Sequence, residues 1–126
     1  MDRQEVGKVG EKAARKFLKK RGYRIRETNF RCPHGEIDII AQKKNCLVFV
    51  EVRTKISLDF GTPEESITRA KKEKLITLAL TYNNTHQNLP PLWRIDVVAI
   101  ELDDKGKRKR IEHIENAIEQ VSRFNC

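Results

Sequence analysis

Gly35-Glu36-Ile37-Asp38-Ile39-Ile40-Ala41, the polar link Gln42-Lys43-Lys44-Asn45-Cys46, and Leu47-Val48-Phe49-Val50-Glu51-Val52-Arg53 decide how this chain folds. Two β-branched runs around a short polar break read as a β-hairpin. With Lys44 and Asn45 as the two turn residues, paired positions sum to about 89. That register puts Asp38 opposite Glu51 and Glu36 opposite Arg53. Side chains alternate with a period of two, so Glu36, Asp38 and Ile40 share one face, as do Phe49, Glu51 and Arg53. Like charges directly opposite in a sheet are destabilising. A carboxylate pair on otherwise apolar strands therefore needs a cation. A divalent ion held by one or two carboxylates, waters and a phosphate supplies one answer. An ion-pair network neutralised by Arg53 supplies the other.

Outward from the hairpin, Val6, Val9, Gly10, Ala13, Ala14, Phe17 and Leu18 recur at helical spacing. They predict an amphipathic helix over about residues 3–21, ended by Gly22. Glu11 lies at the border of that stripe, at nearly the angle of Leu18. It either reaches over Asp38 and Glu51 or pairs with Arg15 one turn on. A weakly alternating strand follows at Tyr23–Thr28, and Cys32-Pro33-His34-Gly35 reads as a turn. After a loop over Ile56–Gly61, Thr62-Pro63-Glu65 signals a helix start and predicts a helix to about Tyr82. Lys71 interrupts its inward stripe of Ile67, Leu75, Leu78 and Tyr82. The ordinary reading of such a lysine is a covered stem whose ammonium reaches water. Trp93–Leu102 and Arg110–Ile114 read as strands, and the last dozen residues give no clear pattern. The order α-β-β-β-α-β-β specifies an α/β fold, a mixed central sheet flanked by helices, in a single domain over 1–126.

The 126 residues carry 26 Lys and Arg against 18 Asp and Glu, a net +8. Residues 1–34 hold +7 of it. Lys12, Arg15, Lys16 and Lys19 project away from the apolar stripe, with Lys20 nearer its border, as a basic face suited to phosphates. The alternative is a merely solvated face. No apolar run is long enough to span a membrane. No h-region follows Met1, and three cysteines make no disulfide framework, so the expected setting is reducing and cytoplasmic. Cys32, His34 and Cys46 lack a CxxC pair and a fourth ligand, which leaves zinc without support. Neither GxGxxG nor GxxxxGK occurs.

Gly35-Glu36-Ile37-Asp38-Ile39-Ile40, Val48-Phe49-Val50-Glu51-Val52-Arg53-Thr54 and Phe60-Gly61-Thr62-Pro63 resemble the UPF0102 (YraN-like) family. Arg94-Ile95-Asp96-Val97-Val98-Ala99-Ile100 and Ile111-Glu112-His113-Ile114 fit its later segments. That family is similar to the restriction-endonuclease-like, PD-(D/E)xK nucleases, Holliday-junction resolvases among them. The resemblance implies catalytic residues Glu11, Asp38, Glu51 and Arg53, with Glu11, Asp38 and Glu51 holding Mg²⁺ or Mn²⁺. The superfamily most often has Lys where this chain has Arg53. Arg cannot serve as a base, though it can stabilise charge on a phosphate. Lys55, two residues on and on the same face, is the nearest substitute; Lys71 is another. Glu36 is left either as a more distant ligand or as a partner of Arg53. The expected activity is metal-dependent cleavage of DNA, branched DNA included, with a homodimer as a further expectation. The rival is a non-catalytic nucleic-acid-binding protein that keeps the fold.

Overall fold

A computed structural model describes residues 1–56 and 61–118. Helix α1 spans Arg3–Lys20. Asp2 caps it, accepting the Glu5 amide at 2.9 Å while Glu5 reaches back in a capping box. The helix ends at Arg21, before Gly22 at φ +88°. Strand β1 runs Arg24–Cys32, β2 Gly35–Lys43 and β3 Cys46–Lys55. A 3-10 turn at Glu64–Ser66 precedes α2 over Arg69–Thr85, then β4 over Leu92–Leu102 and β5 over Arg108–Ile114. The expected element order holds, and the first strand extends four residues further than its weak alternation indicated.

The second helix is where the sequence misled most. Thr62 and Glu65 do form the capping box, with the Glu65 carboxylate accepting from the Thr62 amide at 2.9 Å. It closes only the 3-10 turn. Ile67 is extended (ψ 110°), and Thr68 caps α2 afresh by accepting the Lys71 amide at 3.1 Å. A good local start signal was thus used on one turn and a second cap restarted the helix. Part of the loop expected at 56–61, and most of the last dozen residues, lie outside the described residues.

The five strands lie in the order β1-β2-β3-β4-β5, antiparallel except for the β3–β4 pair, which is parallel through α2. The α1 stripe packs Ala14 and Leu18 on Ile39, Ala41, Val48, Val50, Val98 and Ile100. Helix α2 packs Leu75, Leu78 and Tyr82 on Ile37, Ile40, Leu47, Phe49 and Ile95 across the other face. Gly10 is the point of closest approach of α1 to β3. A Cβ there would lie 1.8 Å from Thr54 Oγ1 and under 3.0 Å from its Cβ and Cγ2. No described helix is long and apolar enough to cross a membrane.

Candidate active site at the fork of β2 and β3

The hairpin turn falls at Lys44-Asn45, and the register is the expected one from Lys43↔Cys46 to Ile39↔Val50. The ladder then stops, although both strands continue. At the break the Asp38 side chain replaces the missing rung, its Oδ2 accepting the Val52 N–H at 2.8 Å. Alternation fails at the same residue. Ile37 packs with Ile40 under α2, while Ile39 packs under α1. Opposite Asp38 on β1, Asn29 sits at φ +53°, a conformation Asn tolerates better than most residues. The strands splay here, and the carboxylates sit at the mouth of the fork.

Glu51 is 4% exposed. Its Oε2 lies 3.1 Å from Arg53 Nε and 3.6 Å from Lys71 Nζ. The Arg53 Nε–H is buried and makes no hydrogen bond, so that contact is one of charge rather than of hydrogen-bond alignment. Burial, followed by the charge of Glu51, pushes the Asp38 carboxyl up to about 7. The Val52 amide and Lys71 oppose that rise without cancelling it. Glu11 comes over the same end of the sheet. Its carboxyl is raised by burial and by the charges of Asp38 and Glu36, against a hydrogen bond from Asn29 Nδ2 at 3.1 Å. The same Asn29 amide reaches Glu36 Oε1 at 2.8 Å.

Asp38, Glu51 and Arg53 are therefore brought together, with Glu11 beside them and Lys71 arriving from the first turn of α2. The expected opposition of Glu36 and Arg53 is not found. Glu36 lies beyond the break, turned to Asn29 and to Arg31 Nε at 3.4 Å. The alternative partner of Glu11, Arg15, is not its hydrogen-bond partner either. Lys55 stays on β3, its Nζ 3.4 Å from the Gly61 carbonyl. Among the described residues no three acidic, His or Cys side chains gather closely enough to hold a metal ion. The pair Asp38 and Glu51 still offers the hard, charged oxygens that Mg²⁺ and Mn²⁺ take, completed by water and phosphate. A cleft of about 460 Å³ between the first turns of α1 and the end of β3 is lined by Arg3, Glu11, Arg53 and Lys55 among others. On α1, Lys12, Lys16, Lys19 and Lys20 are exposed and Arg15 half-buried.

A second polar cluster escaped the reading of residues. Asp96 is fully buried on β4 under α1. It accepts from Arg94 Nε at 2.9 Å and from the Asn116 amide at 2.9 Å, and His113 Nε2 lies 2.7 Å from its Oδ2. Arg94 also donates to the Tyr23 hydroxyl at 2.6 Å. The signal was the pair Arg94 and Asp96, two apart on a strand otherwise apolar on both faces. Cys46 is buried at the far end of β2 and β3 from Cys32 and His34, so these three do not converge.

A mixed sheet covered by one helix on each face, with paired carboxylates and two cations at the carboxyl end of its parallel strands, defines an α/β protein with a charged site at the sheet's open end. The model of the Uncharacterised protein family UPF0102 matches residues 10–100. A UPF0102 protein of Thermodesulfovibrio yellowstonii is 48% identical over 117 residues, covering 93% of this chain and 98% of that one. One of Renibacterium salmoninarum is 46% identical over 110 residues, covering 87% and 92%. One of Caldanaerobacter subterraneus is 41% identical over 121 residues, covering 93% and 97%. The chain belongs to the UPF0102 family.

Proposed function

We propose that this chain is a Mg²⁺- or Mn²⁺-dependent endonuclease acting on DNA, branched DNA included. The observation that carries the reading is the meeting of Asp38 and Glu51 at the fork, with one carboxyl pushed up to about 7. A purely structural ion-pair network would neutralise both carboxylates. Here Arg53 and Lys71 both lean on Glu51, and the Val52 amide and the charge of Lys71 do not offset the burial and repulsion at Asp38. A divalent ion bound by the pair would polarise a phosphoryl oxygen and lower the pKa of water. Arg53, a fixed cation, holds and charge-stabilises the phosphate. With a metal on the carboxylates, the Lys71 ammonium, now 3.6 Å from Glu51, would be free to hold a phosphate oxygen. Glu11 orients water beside Asp38. The basic face of α1 tracks phosphates away from the cut.

The second reading, non-catalytic nucleic-acid binding, is favoured by Arg53 standing where a lysine is usual. Lys71 answers that objection, because it brings an ammonium to the same carboxylate from another element. Supercoiled plasmid and a synthetic four-way junction, each with Mn²⁺, Mg²⁺ or EDTA, separate the two. Metal-dependent nicking that falls to background in Glu51→Gln is the expected result. DNA binding without nicking in any metal would leave the second reading standing, and nicking that survives in Glu51→Gln would refute the proposed site.

A further inference from the structure

We propose a second nucleic-acid contact at the start of β1, where Arg24 and Arg26 hold a phosphate of an unpaired DNA strand and His86 carries a base. It rests on the reading that the chain handles DNA, and is independent of cleavage. Arg24 Nη2 and Arg26 Nη1 donate to the same acceptor, Gln42 Oε1, at 3.0 and 2.9 Å. The cause is a β-bulge. Ile25 pairs with Ala41 and Glu27 with Ile40, so Arg26 is the extra residue and has no partner on β2. Bulges re-aim side chains, and this one turns a second guanidinium onto the amide already taken by the first.

Two cations thus converge on one neutral oxygen at the exposed surface. Arg31, Arg53, Arg69, Arg94 and Arg110 each reach a carboxylate. Neither Arg24 nor Arg26 has such a partner among the described residues. An anion presented to both forks, as a phosphodiester is, completes the arrangement. The two arginines line a cleft of about 500 Å³ with Glu27, Tyr82 and His86. Glu27, its carboxylate, is engaged by the Tyr82 hydroxyl at 3.4 Å. His86 stacks on Tyr82, ring centroids 3.7 Å apart and planes 15° from parallel. Its Nδ1 is 3.0 Å from both the Tyr82 carbonyl and the Thr85 hydroxyl, and these two contacts hold the ring in place. Such a platform stacks any base whose face is free, and a base stacked inside a duplex offers none. Gln42 lies four residues along β2 from Asp38. That is ~13 Å at the rise of a strand, or about four nucleotides at stacked spacing. The geometry thus selects DNA with a single-stranded segment next to the cut.

The test is fluorescence anisotropy of the full chain in EDTA, with a blunt duplex and the same duplex carrying a single-stranded tail. The wild type should prefer the tailed probe. Arg24→Gln with Arg26→Gln should weaken tailed binding about tenfold, flatten its salt slope by about 0.7 per lost phosphate, and leave the blunt duplex unchanged. Gln42→Glu should act in the same direction with both arginines kept, by placing a carboxylate between the guanidinium groups; unchanged melting confirms that each variant is folded. Equal losses on both probes, an unaltered tail preference in these variants, or a wild type with no tail preference would each overturn the subsite alone. A wild type that binds neither probe would overturn the DNA reading and the subsite with it.

Discussion

Asp38→Asn reports directly on the repulsion at the fork. In the metal-free fold the Asp38 carboxyl is raised from 3.8 to about 7, by burial first and by Glu51 second. In the unfolded chain it ionises near its ordinary value. Between those two values the folded state holds a proton that the unfolded state has released, so stability falls as pH rises. The slope is about 1.4 kcal/mol per pH unit over about pH 4 to 7, and flat on either side. Across that window it accumulates to about 4 kcal/mol, an upper bound because the fork relaxes. Asparagine keeps the oxygen that accepts from Val52 and removes the titration. Urea unfolding of both proteins from pH 4 to 8 gives the difference in stability, in which the carboxyls of Asp2, Glu64 and Glu65, each held below its ordinary value by hydrogen bonds, cancel. That difference should grow in favour of the variant up to pH 7 and then level. Manganese at about a hundred times its Kd should add about 2.7 kcal/mol to the wild type and nothing to the variant. A pH-independent difference, or an Asp38→Asn protein less stable at pH 8, would refute the repulsion and with it the argument for a cation.

Gly10→Ala gains helix propensity but drives a methyl into Thr54, whose Oγ1, Cβ and Cγ2 all lie within 3.0 Å of the new atom. Rotating Thr54 cannot relieve that, so the variant should lose about 1–3 kcal/mol in denaturant unfolding; a stabilised variant would show that α1 does not sit so close to β3. Asp96→Asn leaves buried Arg94 only the exposed Glu115 carboxylate at 3.8 Å as counter-charge and should cost about 3–5 kcal/mol, read from the same experiment; a change under about 1 kcal/mol would mean that water or Glu115 compensates the cluster. Lys12, Lys16 and Lys19 changed together to Gln should flatten the slope of log affinity against log salt by up to about 3 on duplex DNA; an unchanged slope would mark the helix face as solvated only.

The hairpin was legible because its two runs carry strong β propensity and its turn admits one economical register. Five consecutive rungs follow that register. What the period of two could not give is where a ladder stops. Glu36 faces Arg53 only if the strands stay paired. The break depends on a side chain, Asp38, taking a backbone amide, and on Asn29 adopting a positive φ two strands from Glu51. Neither shows in alternation. The same limit applies to α2. Thr62-Pro63-Glu65 is a sound start signal, and only the competition with Thr68 decides which cap the helix uses.

Lys71 shows how these two limits combine at the site. On the helix expected from Thr62 it was one polar interruption of an apolar stripe, and a snorkelling lysine accounts for that. Restarting α2 at Arg69 moves Lys71 into the first turn, and the crossover from β3 to the parallel β4 sets that turn beside the end of β3. Its ammonium then reaches Glu51 at 3.6 Å, while Lys55, the nearer candidate in sequence, stays with Gly61. Position along a strand favoured Lys55, whereas topology favours a residue sixteen positions further on. Open α/β sheets place ligands where the carboxyl ends of parallel strands meet helix starts. Applied here, that rule selects the β3 end, the first turn of α2 and the cleft beside α1, where Glu51, Lys71 and Arg53 lie.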